Sequence, residues 1–394
     1  MKIPMPDERA ERLLARQKLK MARSAQTYVR GSTVRFYEWL NGSGRSLPTG
    51  PTVWIGGDCH YGNLGPVANA EGEVAIQIRD LDQTVLGNPT HDLVRLALSL
   101  CSAVRGFALP GIATAQMIEQ IVEGYQEGLT RPAREDEDRP PTIKGLLKTS
   151  ERRRWAHLAR ERIEDVKPTI PLGKRFWSLS DKERGALEAL ALGQPVRDLV
   201  TRLKSREDDA EIDLVDAAYW VKGCSSLGLL RYALLLGVGS GKKREHCIVD
   251  VKEAVKAAAP TAPDTEMPKD NGQRIVAGAR ALSPYLGERM QPARLFGHSV
   301  FVRELMPQDL KLEIEALTAE EAVKVGRFLA GVVGRAHGRQ MAAADRRRWA
   351  EEFDRRRSKS LDAPSWLWTS VVELLAAHDA AYLDHCRRYA RVAA

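Results

Sequence analysis

Residues 53–65, VWIGGDCHYGNLG, run a short apolar strand into a glycine-rich turn that carries Asp58, His60 and Asn63. No other segment constrains the fold as much. Val53, Trp54 and Ile55 favour burial in a sheet, Gly56 and Gly57 break the strand at once, and the polar side chains then sit just beyond its end. A structural turn needs glycine and Asn; it has no use for a carboxylate and an imidazole at fixed spacing. A second strand-like run, VAIQIRD at 74–80, alternates Val74, Ile76 and Ile78 with Ala75, Gln77 and Arg79, which predicts one buried face. The runs at 52–57 and 74–80 are expected to form a strand–turn–strand hairpin, joined by a loop containing GNLGPVANAEGE. HDLVRLALSLCSAV at 91–104 follows as a buried helix.

The rest of the chain alternates in character. Residues 7–40 read as helical, with Leu13, Leu14 and Leu19 leading to VRFYEWL. From about 106 to 215 the signals are helical and polar, with a charged, proline-broken loop at 134–141 and a strongly basic helix at 151–166. That helix reads either as a solvated face or as a surface for an anionic substrate. At 219 the pattern turns to strands separated by glycine-rich turns, followed by a helix around 270–283 and a strand at 298–305. Helical periodicity resumes at 318 and no internal repeat is present. An α+β class follows.

A chain of 394 residues exceeds one small core and fits two lobes. The net charge of +8 points to anionic partners such as nucleotides or phosphates, yet spread over this length it makes nucleic acid an unfavoured partner. Five scattered cysteines argue for a reducing compartment and against a disulfide framework or a zinc site. No apolar stretch approaches the ~20 residues needed to span a bilayer, and MKIPMPDERAERLLARQ has no apolar leader core, so a cytoplasmic protein without membrane insertion is expected.

Asp58 and Asn63 are five residues apart, and IRDLDQ places Asp80 and Asp82 at the end of the next run. Kinase-type phosphoryl transfer needs this set: one Asp to orient the attacking hydroxyl, an Asn five residues on, and an Asp at a neighbouring strand end to hold the metal that bridges the phosphates. GDCHYGN resembles the HGDxHxxN loop of the aminoglycoside phosphotransferase branch of the kinase-like superfamily, and IRDLDQTVLGNPTHDLVRLA resembles that branch's continuation. The resemblance implies Asp58 as the catalytic carboxylate with His60 beside it, Asn63 and Asp80 as metal ligands, and Asp92 as the residue that braces the loop. Gly56-Gly57 stands where that branch usually has a His before its Gly-Asp. Asp82 is open as a second metal ligand or a turn former, and His60 as a loop support or a ligand contact. His337 is expected to be a satisfied core histidine, Arg303 to make a structural salt bridge, and Cys59 to have no nucleophilic role.

The phosphate-covering loop and the lysine strand that kinases need are absent before residue 54 and turn up downstream instead, as GCSSLG at 223–228 and IVDVKEA at 248–254. Gly223, Ser225, Ser226 and Gly228 are the loop candidates and Lys252 the lysine. This order resembles the DUF2252 family, grouped with the kinase-like superfamily: TYVRG, GDCHYGNLG, RDLD, GCSSLG, VKEA, GQRIV, FVREL and GRAHGR follow one another between about residues 27 and 339. The resemblance implies a two-lobed, circularly permuted kinase-like fold: residues 1–215 as the catalytic part, 216–306 as a β-rich nucleotide-binding part, and 307–394 as helices completing the catalytic lobe. It implies ATP and Mg²⁺ as cofactors and a phosphotransferase acting on a hydroxyl of a small-molecule or anionic acceptor. The alternatives are a nucleotide-binding pseudokinase, a nucleotidyl (AMP) transferase and, least, a metallophosphoesterase. The acidic partner of Lys252 is expected on the helix after it, where Gln273 falls near the position.

Overall fold

The N-terminal helical run is three helices, Arg9–Met21, Ala25–Gly31 and Thr33–Gly42. Ser24 separates the first two: its hydroxyl accepts from the Thr27 N–H at 3.1 Å and caps the second. The computed structural model describes Pro4, residues 6–42, 47–105, 110–133, 139–153, 169–203, 206–241, 244–309, 317–355, Arg357 and 362–389. Most of the basic 151–166 segment and of the 134–141 loop therefore lies outside the described residues.

The expected hairpin is corrected. Strands β1 (Val53–Ile55), β2 (Leu64–Ala68), β3 (Val74–Ile78) and β4 (Val85–Gly87) form two antiparallel pairs, β1 with β4 and β2 with β3. The segment expected to be a loop holds β2, buried along its whole length. Asn69 makes the turn that follows, its backbone N–H donating to Glu73 O at 2.9 Å and its side chain accepting from the Glu73 N–H at 2.8 Å. The β2–β3 pairing carries Asp80 back to Asn63, since the Arg79 N–H donates to the Asn63 carbonyl at 2.7 Å.

The larger sheet contains β5 (Phe176–Trp177), β6 (Ile212–Trp220), β7 (Arg231–Val238), β8 (Glu245–Glu253), β9 (Met290–Leu295) and β10 (His298–Glu304), antiparallel in the order β5-β6-β7-β8-β10-β9. β6 starts before the change of character at 219, and the expected boundary at 215/216 falls inside it. One face of the sheet, with Leu234, Leu236, Val249, Val251, Val300 and Val302, packs on the helices Asp181–Ala191 and Gln194–Val200. The other face carries Arg231, Asp250, Lys252 and Arg303, because Arg231 stands opposite Lys252 and Asp250 opposite Arg303 in register.

The second core lies among the helices Thr90–Val104, Pro110–Thr130, Ala319–Gly338, Ala343–Arg355 and Ser365–Tyr389, together with β1–β4. Helices Pro110–Thr130 and Ala319–Gly338 approach backbone to backbone: a Cβ on Gly128 would lie 2.2 Å from the Gly331 carbonyl, and one on Gly334 2.3 Å from that of Tyr125. All five cysteines are unpaired, and among the described residues no helix is long and apolar enough to cross a membrane.

Gly128→Ala must push these helices apart and is expected to destabilise the protein by about 1–3 kcal/mol in urea titration. Gly145→Ala, on the exposed side of the Pro141–Glu151 helix where an added Cβ meets nothing, is expected to stabilise it by up to about 1 kcal/mol.

Candidate functional site

The turn after β1 is held by a carboxylate that reaches it from the following helix. Asp92, fully buried in the Thr90–Val104 helix, accepts from the Gly56 N–H at 2.6 Å and the Gly57 N–H at 2.9 Å. Gly57 has φ +71° and a Cβ there would lie 2.1 Å from the Gln83 carbonyl, so only glycine fits. Behind Asp92, His337 closes the support: Nε2 lies 3.2 Å from Asp92 Oδ2, and Nδ1 lies 3.0 Å from the Tyr125 hydroxyl. Those partners assign the Nε2–H tautomer, with the hydroxyl donating to Nδ1. His337 is the core histidine expected. Gln340, just past the same helix, accepts from the Trp54 N–H at 2.7 Å and donates to the Trp54 carbonyl at 3.1 Å.

Within the turn, Asn63 donates its side-chain amide to the Asp58 carbonyl at 3.0 Å, closing the five-residue spacing into a ring and leaving the Asn63 side-chain oxygen for the cavity. Arg95, fully buried one helical turn after Asp92, donates from Nε to Asp58 Oδ1 at 2.9 Å and from Nη2 to the Val29 carbonyl at 2.6 Å. His60 Nε2 stands 3.9 Å from Asp58 Oδ2, too far for a hydrogen bond. Burial lowers His60 to about 4 against the opposing pull of Asp58, so the imidazole is neutral at pH 7. Burial, with Asp92 and Asp58 adding to it, holds the Cys59 thiol far above its ordinary value, which agrees with its having no nucleophilic role.

Lys252 rises from β8 toward Asp80 and Asp82. Its ammonium makes a close ion pair with Asp82 and lies 3.5 Å from Asp80 Oδ1. Asp80 opens into the cavity with nearly half its side chain exposed; desolvation raises its carboxyl, but the cations Lys252, Arg231 and Arg303 outweigh this and hold it below the usual range. Burial and the Asp80 charge push Asp82 the other way. Under Lys252, Asp250 takes two hydrogen bonds from Arg231, at 2.9 and 2.6 Å, and one from Arg303 at 3.2 Å, which is the structural salt bridge expected of Arg303. The acidic partners of Lys252 thus come from the RDLD segment. Gln273 is exposed, its backbone N–H capping onto Asp270, while its neighbour Arg274 is buried and donates to the carbonyls of Thr84, Asp82 and Val255.

The 223–228 segment links β6 to β7. Lys20 reaches it from the first helix and donates to the Gly223 carbonyl at 2.7 Å, and Gln17 donates to the Ser225 carbonyl at 3.4 Å. Between this segment, the sheet face and the Asp58 turn lies a cavity of about 290 Å³. Asp58, His60, Asn63, Asp80, Gly223, Ser225, Ser226 and Lys252 all line it; Gly228 and Asp82 do not. Seven Lys and Arg side chains line it against three Asp, a balance that suits a polyanionic ligand. Leu286, Met290 and Phe301 add apolar wall.

The oxygen donors fit Mg²⁺, a hard cation that prefers carboxylate, amide and water oxygens. Asn63 offers its side-chain oxygen, Asp80 a half-exposed carboxylate, and Asp82 Oδ1 is buried with no hydrogen-bond partner among the described residues. Among those residues no three His, Cys, Asp or Glu side chains gather as a metal-holding group. Sequence reasoning missed Arg95 and Lys20. Arg95 left a signal: Asp92, Arg95 and Ser99 share one side of an otherwise apolar helix, and Ser99 accepts from the Tyr61 N–H at 3.0 Å. Lys20, in a helix rich in basic residues, left none.

Comparison with known proteins finds one family model, described as an uncharacterized protein conserved in bacteria (DUF2252), matching residues 9–388. No curated protein and no solved structure matches.

Histidines that stay neutral in the folded chain make the protein acid-sensitive. Burial lowers His60 and His91 to about 4 and His378 to about 3. The unfolded chain takes up a proton at each as the pH falls through 6.5, whereas the folded chain does not until near those values. Stability is therefore full above 6.5 and is lost as the pH falls toward 4, with His60 alone, moved from 6.5 to about 4, contributing about 3 kcal/mol. Urea titrations between pH 7 and about 4.5 are expected to show this loss, and His60→Asn to flatten the slope.

Proposed function

The chain belongs to the DUF2252 family, and we propose that it is an ATP- and Mg²⁺-dependent phosphotransferase of kinase-like, circularly permuted architecture. The observation that carries the reading is one cavity in which Asp58, Asn63, Asp80 and Lys252 meet, although they lie on different elements and in an order opposite to that of ordinary kinases. In this reading the helical core with β1–β4 builds the catalytic side, and the larger sheet β5–β10 with the helices Asp181–Ala191 and Gln194–Val200 builds most of the nucleotide-binding side. The permutation is supported by Gln340, whose paired hydrogen bonds to Trp54 join the end of the Ala319–Gly338 helix to β1 where an unpermuted chain would have a peptide connection.

ATP would lie with its base against Leu286, Met290 and Phe301 and its phosphates under the 223–226 segment, paired with Lys252. Mg²⁺ held by Asn63 and Asp80, with Asp82 beside them, would supply charge neutralisation on the phosphates. Asp58, its orientation fixed by Arg95, would accept the proton of the attacking hydroxyl as oxygen bonds to the γ-phosphorus and the bond to the β-phosphate oxygen breaks, releasing ADP. A cytoplasmic location belongs to the proposal, because ATP and reduced thiols coexist there.

A second reading, nucleotide binding without transfer, draws on the ion pairs that occupy Lys252 and both carboxylates of the RDLD segment. Transfer of AMP in place of phosphate would use the same groups with the nucleotide reversed.

Calorimetric titration of the protein with ATP separates these. Mg²⁺-dependent binding is expected, weakened about tenfold or more by Lys252→Ala and made independent of Mg²⁺ by Asp80→Asn. ATP binding without any ADP or AMP formed over hours in mixed acceptor pools would favour the silent reading, AMP transfer the reversed one, and no ATP binding would overturn all three.

A further inference from the structure

Next to Asp58 the cavity holds two buried nitrogen atoms with no hydrogen-bond partner among the described residues, Arg30 Nε and His60 Nδ1. They border the same point. A Cβ placed on Gly62 would lie 3.2 Å from each. The missing side chain at 62 is thus what leaves room for a guanidinium and an imidazole side by side. His60 is 3% exposed, and with Nε2 beyond hydrogen-bonding distance of Asp58 its single proton is free to sit on Nδ1, which borders the space at Gly62. A buried donor without an acceptor is costly, so two at one point call for a ligand oxygen there.

The charge around the point is also unbalanced. Elsewhere in the cavity the cations are answered: Lys252 by Asp80 and Asp82, Arg231 and Arg303 by Asp250. Among the described residues no carboxylate pairs with Arg30 or Lys20, and the hydrogen bond that Lys20 makes goes to the Gly223 carbonyl. Burial lowers the Lys20 ammonium; Cys224 opposes this, and Arg30 adds to it. An anion between the two would relieve both the repulsion and the unused donors.

We propose that Arg30, His60 and Lys20 form an oxyanion subsite beside Asp58, which takes a carboxylate or phosphate group. Resting on the phosphotransfer reading, this subsite anchors the acceptor, so the acceptor is a small molecule that carries such a group close to its reactive hydroxyl. Arg30 gives the directional contact, since its guanidinium presents several donors to one oxyanion, and Lys20 supplies charge from the first helix.

The test is calorimetry on the full chain with inorganic phosphate and, separately, malonate, each with saturating ADP and Mg²⁺ to occupy the nucleotide side and again without them. The subsite predicts binding of at least one anion, weakened about tenfold or more by Arg30→Gln and by Gly62→Ala and partly restored in Arg30→Lys. Phosphate preference assigns a phosphorylated acceptor, malonate preference a carboxylate. Thermal melts confirm that each variant is folded, and Arg30→Lys keeps the test valid if Arg30→Gln is not. Absence of binding for both anions in the tens of millimolar, or affinities unchanged by Arg30→Gln, overturns the subsite, and ATP·Mg²⁺ binding in that same sample would leave the phosphotransfer reading standing. Arg30-dependent anion binding in a protein that binds no ATP would support the subsite and overturn the phosphotransfer reading.

Discussion

The Asp92 carboxylate is the interaction on which the site depends. It is fully buried, and a buried charge is tolerated only when its lone pairs are met. Two backbone N–H groups of the glycine turn and the imidazole of His337 meet them. The network continues outward, from His337 to the Tyr125 hydroxyl and from there to the Trp349 indole N–H at 3.3 Å. Four elements from distant parts of the chain are thus fastened to one turn, and the position of Asp58 follows from theirs. A carboxylate presented by a rigid, buried turn needs little reorganisation to meet a ligand, which is the condition under which electrostatic catalysis works best.

Two opposite charge arrangements face each other across the cavity. On the sheet, Arg231 and Arg303 neutralise Asp250 and leave Lys252 as the group pointing outward. On the other wall, Asp58 is answered by Arg95 from behind, so its free oxygen faces the cavity. Lys252 and the Asp80/Asp82 pair satisfy one another, so a phosphate that reaches Lys252 or a cation that reaches the two carboxylates must separate that ion pair.

What could be read from the sequence was the chemistry at fixed spacing. Asp58 and Asn63 are legible because a closed five-residue turn is local, and Lys252 because the run IVDVKEA resembles the lysine strand of kinases. The α+β class and the helices after 318 followed from periodicity. Pairings were not legible. LGPVA at 64–68 contains Gly and Pro and reads as a loop, yet it pairs as β2 in a two-stranded sheet; MQPARL at 290–295 contains Pro292 and is an edge strand, where proline costs no ladder hydrogen bond. The partner of Lys252 was sought on the helix after it, in the position usual for kinases, but came from a segment about 170 residues earlier, and nothing local marks a contact of that range.

The tie between Trp54 and Gln340 spans 286 residues of chain. On a ribosome adding about 5–20 residues per second, the Asp58 turn would leave the exit tunnel roughly a quarter-minute to a minute before the helix that supports it has been made. Over that interval the two glycines have no His337 behind Asp92 and no glutamine beside β1. The order of the elements therefore leaves the Asp58 turn to settle as a late, post-synthetic event, with its apolar strand VWI exposed to chaperones and to neighbouring chains until the C-terminal helices arrive.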